Sequence, residues 1–199
     1  MLRSTRSTVF LTVLALALTL VLVPAQSLQA EANTYGTQNG VKTTTTTDMK
    51  VLADHVFNQL KGLQGNWIGT FPDFKSSPPF QVTYRIIGGG SVVEEIFRPG
   101  LASETQTNYI RTQTSVRASH ICRYGTQPVM DLVGASADGT EFLFAAAGGT
   151  NLDYQGDKTR TMILDSLQFP ADGTVIAVWS TFEGNRLLGT PTKVLLTRQ

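Results

Sequence analysis

The side chains best suited to chemistry near neutral pH stand together at His120 and Cys122. Residues two apart in a β-strand leave the same face, so an imidazole and a thiol would sit side by side there. That pair could act as base and nucleophile. With a carboxylate added, it could supply three metal ligands. Glu94 or Glu95, Glu104 and Tyr109 precede it at spacings that put them on neighbouring strands. Inward-facing copies of these groups would converge on His120 and could orient the polar end of a small ligand in an apolar pocket. The same cluster could also be purely structural, a buried hydrogen-bonded set that fixes strand register. The chain has 1 Cys and 2 His. An internal disulfide is therefore excluded, and His-x-Cys alone is a weak metal signal. The sequence offers no oxyanion donors and no third member for a Cys–His catalytic set.

Strands must carry these residues, because the pattern from Trp67 onward has period two. Phe80, Val82, Tyr84 and Ile86 alternate with Gln81, Thr83 and Arg85. Gly88-Gly89-Gly90 turns the chain into a strand over 91–97. Further strands are predicted over 104–111, 116–122, 128–136, 140–147, 160–169, 174–182 and 187–197. Asp138-Gly139, Asp172-Gly173 and Glu183-Gly184-Asn185 are hairpin turns. About eight to ten short strands joined as hairpins describe an all-β antiparallel up-and-down barrel, and a closed barrel leaves no exposed edge. Before the strands, Met49, Leu52, Val56, Phe57, Leu60 and Leu63 fall at steps of three and four. They predict one amphipathic helix, N-capped by Asp48 and ending near Gly62 or Gly65, that covers a mouth or flank of the barrel. His55 falls on its polar or flanking side.

The first thirty residues differ in kind. Arg3 and Arg6 precede an apolar core from Val9 to Val23, Pro24 ends it, and Ala25, Ala30 and Ala32 offer small-residue cleavage sites. This is the pattern of a secretory signal over 1–30, shorter than the roughly 20 apolar residues that a membrane span prefers. Residues 31–47 are a polar linker ending in Thr43 to Thr47, and 48–199 form the folded domain. The 16 basic residues less Arg3 and Arg6 leave 14 against 15 acidic ones. A near-neutral domain with no basic face gives no case for nucleic acid. No membrane span is expected after signal cleavage. The expected product is exported, periplasmic or secreted, as a monomer or homodimer.

The segment Gly65-Asn66-Trp67 resembles the Gly-x-Trp opening of the calycin (lipocalin-like) barrels, where the Trp packs across the closed end of the barrel. Gly89-Gly90-Ser91-Val92-Val93-Glu94, then Glu104 and Tyr109, Ser119-His120-Ile121-Cys122, Gly125-Thr126-Gln127-Pro128 and Gly149-Thr150-Asn151 follow in order. That order is similar to an uncharacterised lipocalin-like family of exported bacterial proteins, over roughly 60–198. Thr105, Ile110, Ile121 and Thr126 stand where the family pattern has Met, His, Tyr and Asn. A chemistry needing that His is in doubt here. The resemblance implies a calycin-like barrel and adds Gln127 and Asn151 to the candidate positions. Haem-binding barrels of the superfamily use a His near the C-terminal end, and 121–199 contain none, so no cofactor and no metal is expected. The expected function is binding of a small apolar or amphipathic molecule. The candidate residues are Trp67, Tyr84, Glu94, Glu104, Tyr109, His120, Cys122, Gln127 and Asn151. Phe71, Phe97, Phe142, Phe144 and Trp179 complete the expected lining. The alternatives are a metal-dependent or Cys/His enzyme at His120 and Cys122, or a filled barrel with a structural or interaction role.

Overall fold

The structure, a computed structural model, describes residues 46–199 other than 154. The expected signal and most of the linker lie outside the described residues. One helix, α1 (Thr46–Lys61), precedes the strands. It starts two residues before the expected cap, so Asp48 lies in its first turn and Lys61 in its last, both favourable to the helix dipole. Ala53, Val56, Phe57, Leu60 and the following Leu63 are buried. Each large side chain on that stripe contributes about 1.5–3 kcal/mol by leaving water.

The strands are β1 (Gly65–Thr70), β2 (Phe80–Ile87), β3 (Val92–Phe97), β4 (Thr105–Arg111), β5 (Val116–Ile121) and β6 (Gln127–Ala135). They continue as β7 (Glu141–Thr150), β8 (Arg160–Gln168), β9 (Val175–Glu183), β10 (Arg186–Leu187) and β11 (Thr192–Arg198). Each pairs antiparallel with its neighbour from β1 to β9, and β11 joins β9 back to β1. Ten strands thus close into a barrel, with the short β10 extending the β9 hairpin. The predicted final strand over 187–197 is split because Gly189, at φ 70°, bends the chain between β10 and β11. Gly88–Gly90 form a short 3-10 turn in which Gly89 has φ 65°.

Helix α1 closes one end. Arg111 at the end of β4 donates to Asp54 at 2.9 Å and to the Lys50 carbonyl at 3.2 Å. The His55 ring lies 5.6 Å from Phe142. Trp67 sits where α1 hands over to β1. Its indole N–H donates to the Leu63 carbonyl at 2.7 Å, and the Arg198 guanidinium stacks over it at 4.5 Å. Arg198 also donates to the Gly62 and Gln64 carbonyls, tying the last strand to the end of the helix. Loops 71–79, 98–104, 122–126, 151–159 and 184–191 surround the opposite end, the mouth. One side of the mouth is plugged by Phe71, Phe80 and Phe97 with Arg98 across the Phe80 ring at 5.0 Å. Gly69 makes that plug possible, since a Cβ there would lie 2.5 Å from the Phe80 ring.

Burial of the inward residues changes along the barrel axis. Towards α1, the inward residues Trp67, Val82, Val93, Tyr109, Val116, Ala118, Met130 and Leu196 are buried to within 1% of their surface. Towards the mouth, the inward residues Phe97, Thr105, Met162 and Thr181 are only partly buried. Exposure thus rises at the rim of the mouth, while Phe80, Thr107, His120, Cys122 and Trp179 below it are buried.

Candidate functional site

Register builds a polar row inside the barrel. Tyr84 lies opposite Glu95, Glu95 opposite Thr107, and Thr107 opposite His120, across β2, β3, β4 and β5. Directly opposed residues share a face, so all four point inward with Trp67, Val82 and Tyr109. The Tyr84 hydroxyl donates to Glu95, and the Tyr109 hydroxyl reaches the same carboxylate oxygen at 3.3 Å. Thr107 Oγ1 lies 3.0 Å from His120 Nδ1.

Burial sets the charges of this row. Desolvation pushes the Glu95 carboxyl up to about 7, against the pull of hydroxyl bonds from Tyr84, Thr107 and Tyr109. Desolvation pushes His120 down to about 4, so its imidazole is neutral at neutral pH. Burial first, and Glu95 second, raise the Tyr84 and Tyr109 phenols well above their ordinary value and keep them donors.

Beyond the row, the His120 ring lies 4.8 Å from the Trp179 ring at 48°. Strands β5 and β9 are not neighbours in the sheet, so this contact spans the interior. His120 Nε2 and Trp179 Nε1 are buried and have no hydrogen-bond partner among the described residues. A buried polar group left unpaired costs about 1–3 kcal/mol. Both rings are buried. At the mouth above, Arg123, Tyr124, Gln155, Lys158, Arg160 and Glu183 line a recess of about 610 Å³. A second cleft, of about 420 Å³, lies outside the barrel between α1 and Phe142.

The structure brings Tyr84, Tyr109 and His120 together and corrects the expected acids. Glu94 faces outward, opposite Arg85 and Asn108. Arg85 Nε donates to it at 2.6 Å and Gln106 Nε2 at 2.9 Å. The interior acid is Glu95. The two were hard to separate because Val93, Glu94 and Glu95 are all buried, which hides the alternation. Glu104 is exposed and precedes β4, where it accepts the Gly100 N–H at 2.5 Å. Trp67 lies in the packed α1 half, away from the mouth.

Gln127 opens β6 and Asn151 follows β7, both at the mouth. Gln127 is exposed, and Asn151, at φ 57°, donates to the Gly125 carbonyl at 3.4 Å. Cys122 is buried two residues past His120, and its N–H bonds the Thr126 carbonyl. No hydrogen bond links the thiol to the imidazole: Nδ1 is held by Thr107, and Nε2 has no partner among the described residues. Among the described residues, no three His, Cys, Asp or Glu side chains gather as metal ligands would.

Sequence reasoning missed Thr107 and Asp165, and it counted Trp179 only as apolar lining. Thr107 lies between Glu95 and His120 in the interior row and bonds His120. Trp179 contributes a donor as well. Asp165 sits at the β8 bulge, bonded by the Ser180 hydroxyl at 2.6 Å and pushed up to about 6 by burial. Compared with known proteins, the chain matches no family model, and no curated protein matches it in sequence.

Proposed function

We propose that this chain is an exported lipocalin-like, calycin-type barrel that holds a small apolar or amphipathic molecule in the mouth half of its interior. The observation that carries the reading is the buried pair of ring nitrogens, His120 Nε2 and Trp179 Nε1, unpartnered among the described residues inside a closed barrel. Native interiors rarely leave such atoms unpartnered, and a bound molecule that parts the two rings would supply partners. Phe97, Met162 and Phe144 would supply apolar contact, and the row from Tyr84 to His120 the polar end. A few convergent polar groups in an apolar wall are what small-molecule sites have in common.

Two sequence features support the rest of the reading. Arg3, Arg6, the apolar run to Val23 and the alanines after Pro24 support export to the periplasm or medium. Gly65-Asn66-Trp67 at the α1 end of a ten-strand meander supports the calycin relationship.

Native mass spectrometry of protein taken from its own host tests the function. The expected result is an added small-molecule mass that denaturation removes. Repeated preparations without one would overturn the reading. A filled barrel with a structural role is the alternative that the packed α1 half favours. It requires His120→Phe to be more stable than the parent, with no bound mass in either.

A further inference from the structure

We infer that the recess at the mouth is a second binding site, one that takes a phosphate monoester. This goes beyond the reading above, because it needs no molecule inside the barrel.

The wall of the recess is rich in donors. Arg123, Lys158 and Arg160 bring three cations to it and Glu183 one carboxylate, so the lining has a net charge of +2. Tyr124 and Gln155 add a hydroxyl and an amide. The one carboxylate is already engaged. Arg186 donates to its Oε2 at 2.7 Å and Arg160 Nε to its Oε1 at 3.2 Å, which holds the Glu183 carboxyl below its ordinary value. Arg123 lies over the Tyr124 ring at 5.6 Å, and neither Arg123 nor Lys158 forms an ion pair among the described residues. Asp153 and Asp157 precede Lys158 in the chain, yet neither lines the recess.

Charge then separates the candidate anions. A carboxylate brings one negative charge, whereas a phosphate monoester brings about −1.5 to −2 near neutral pH, on three acceptor oxygens. The second matches the lining. A volume of about 610 Å³ leaves room beside the phosphate for the organic part of the ester.

The wall is also held in place. Thr126 Oγ1 donates to the Arg160 carbonyl at 3.1 Å and ties loop 122–126 to the start of β8. The Gln155 N–H donates to Thr159 Oγ1 at 2.8 Å, and the Gly184 N–H donates to the Thr159 carbonyl at 2.8 Å. Thr126 and Thr159 are buried. Gly184 lets the two loops meet, since a Cβ there would lie 3.0 Å from the Asp157 carbonyl oxygen. Donors fixed before binding lose less freedom when an anion arrives.

Calorimetric titration with glycerol 3-phosphate and with acetate tests the site, alongside co-sedimentation with phosphatidylcholine vesicles with and without phosphatidic acid. Glycerol 3-phosphate should bind about tenfold tighter than acetate or more. Arg123→Gln and Lys158→Gln, both at exposed positions, should each weaken it about tenfold with the urea midpoint unchanged. Lys50→Gln, on α1 at the other end, should leave it unchanged. Binding should weaken from about pH 7.5 to about pH 5, because the ester takes up a proton near pH 6 while Arg and Lys stay charged. Binding of the soluble ester assigns the recess to a free phosphate ester. Sedimentation only with phosphatidic acid, lost in the same two variants, assigns it to a lipid-borne one. Acetate bound as tightly, binding that survives both substitutions, or no binding of either ester would overturn the site. The interior reading would then still stand on its own mass measurement.

Discussion

Replacing Glu95 and His120 one at a time should unmask two opposed pH dependences that nearly cancel in the parent. Folded, Glu95 keeps its proton up to about pH 7, whereas an ordinary Glu carboxyl loses it near 4.5. Its contribution to stability is whole below pH 4.5 and is lost as pH rises to about 7. His120 behaves in reverse, since burial lowers it from 6.5 to about 4. Its contribution is whole above pH 6.5 and is lost as pH falls to about 4. Each window corresponds to roughly 3 kcal/mol at about 1.4 kcal/mol per pH unit. Urea unfolding of parent, Glu95→Gln and His120→Gln from pH 4 to 8 would measure both. Relative to the parent, Glu95→Gln should gain about 3 kcal/mol between pH 4.5 and 7. Relative to the parent, His120→Gln should lose about 3 kcal/mol between pH 4 and 6.5. Gaps that stay constant across pH would refute the buried row, whatever their size.

Other outcomes follow from the same geometry. Glu94→Gln should leave ligand binding unchanged and shift stability by less than about 1 kcal/mol, because its Arg85 partner is solvent-exposed, whereas Glu95→Gln should alter binding. Gly69→Ala should cost about 1–3 kcal/mol in urea unfolding by forcing the Phe80 ring out of the mouth plug. Trp67→Phe should cost about 2 kcal/mol or more through the lost Leu63 bond and Arg198 stacking, read as a lower unfolding midpoint. N-terminal sequencing of the protein from its own host should begin just after Ala25, Ala30 or Ala32, and a chain still starting at Met1 would contradict signal cleavage.

Much of the architecture was legible because alternation and turns are local. Tyr84 and Ile86 against Thr83 and Arg85, Asp138-Gly139 and Asp172-Gly173 were enough to count strands and join them as a meander. The same logic placed His120 and Tyr109 inward. It failed at Val93-Glu94-Glu95, because an outer-face acid covered by Arg85 and Gln106 is as buried as an inner one. Glu104 was misplaced by a boundary, since β4 begins one residue later and the carboxylate closes a loop instead. The His120–Trp179 contact had no local signal at all. It depends on closure, which brings β5 against β9 across the interior, and no spacing along the chain encodes that distance. The bulge that carries Asp165 was equally invisible, because one extra residue in β8 leaves the surrounding alternation intact on either side.

A crystal structure of protein purified from its own host, read around His120 and Trp179, tests the whole account in one place. It should show an organic molecule that has entered from the mouth, with a polar atom on His120 Nε2 or Trp179 Nε1 and the two rings parted beyond their 4.8 Å centroid distance. An interior that holds no organic molecule would contradict it.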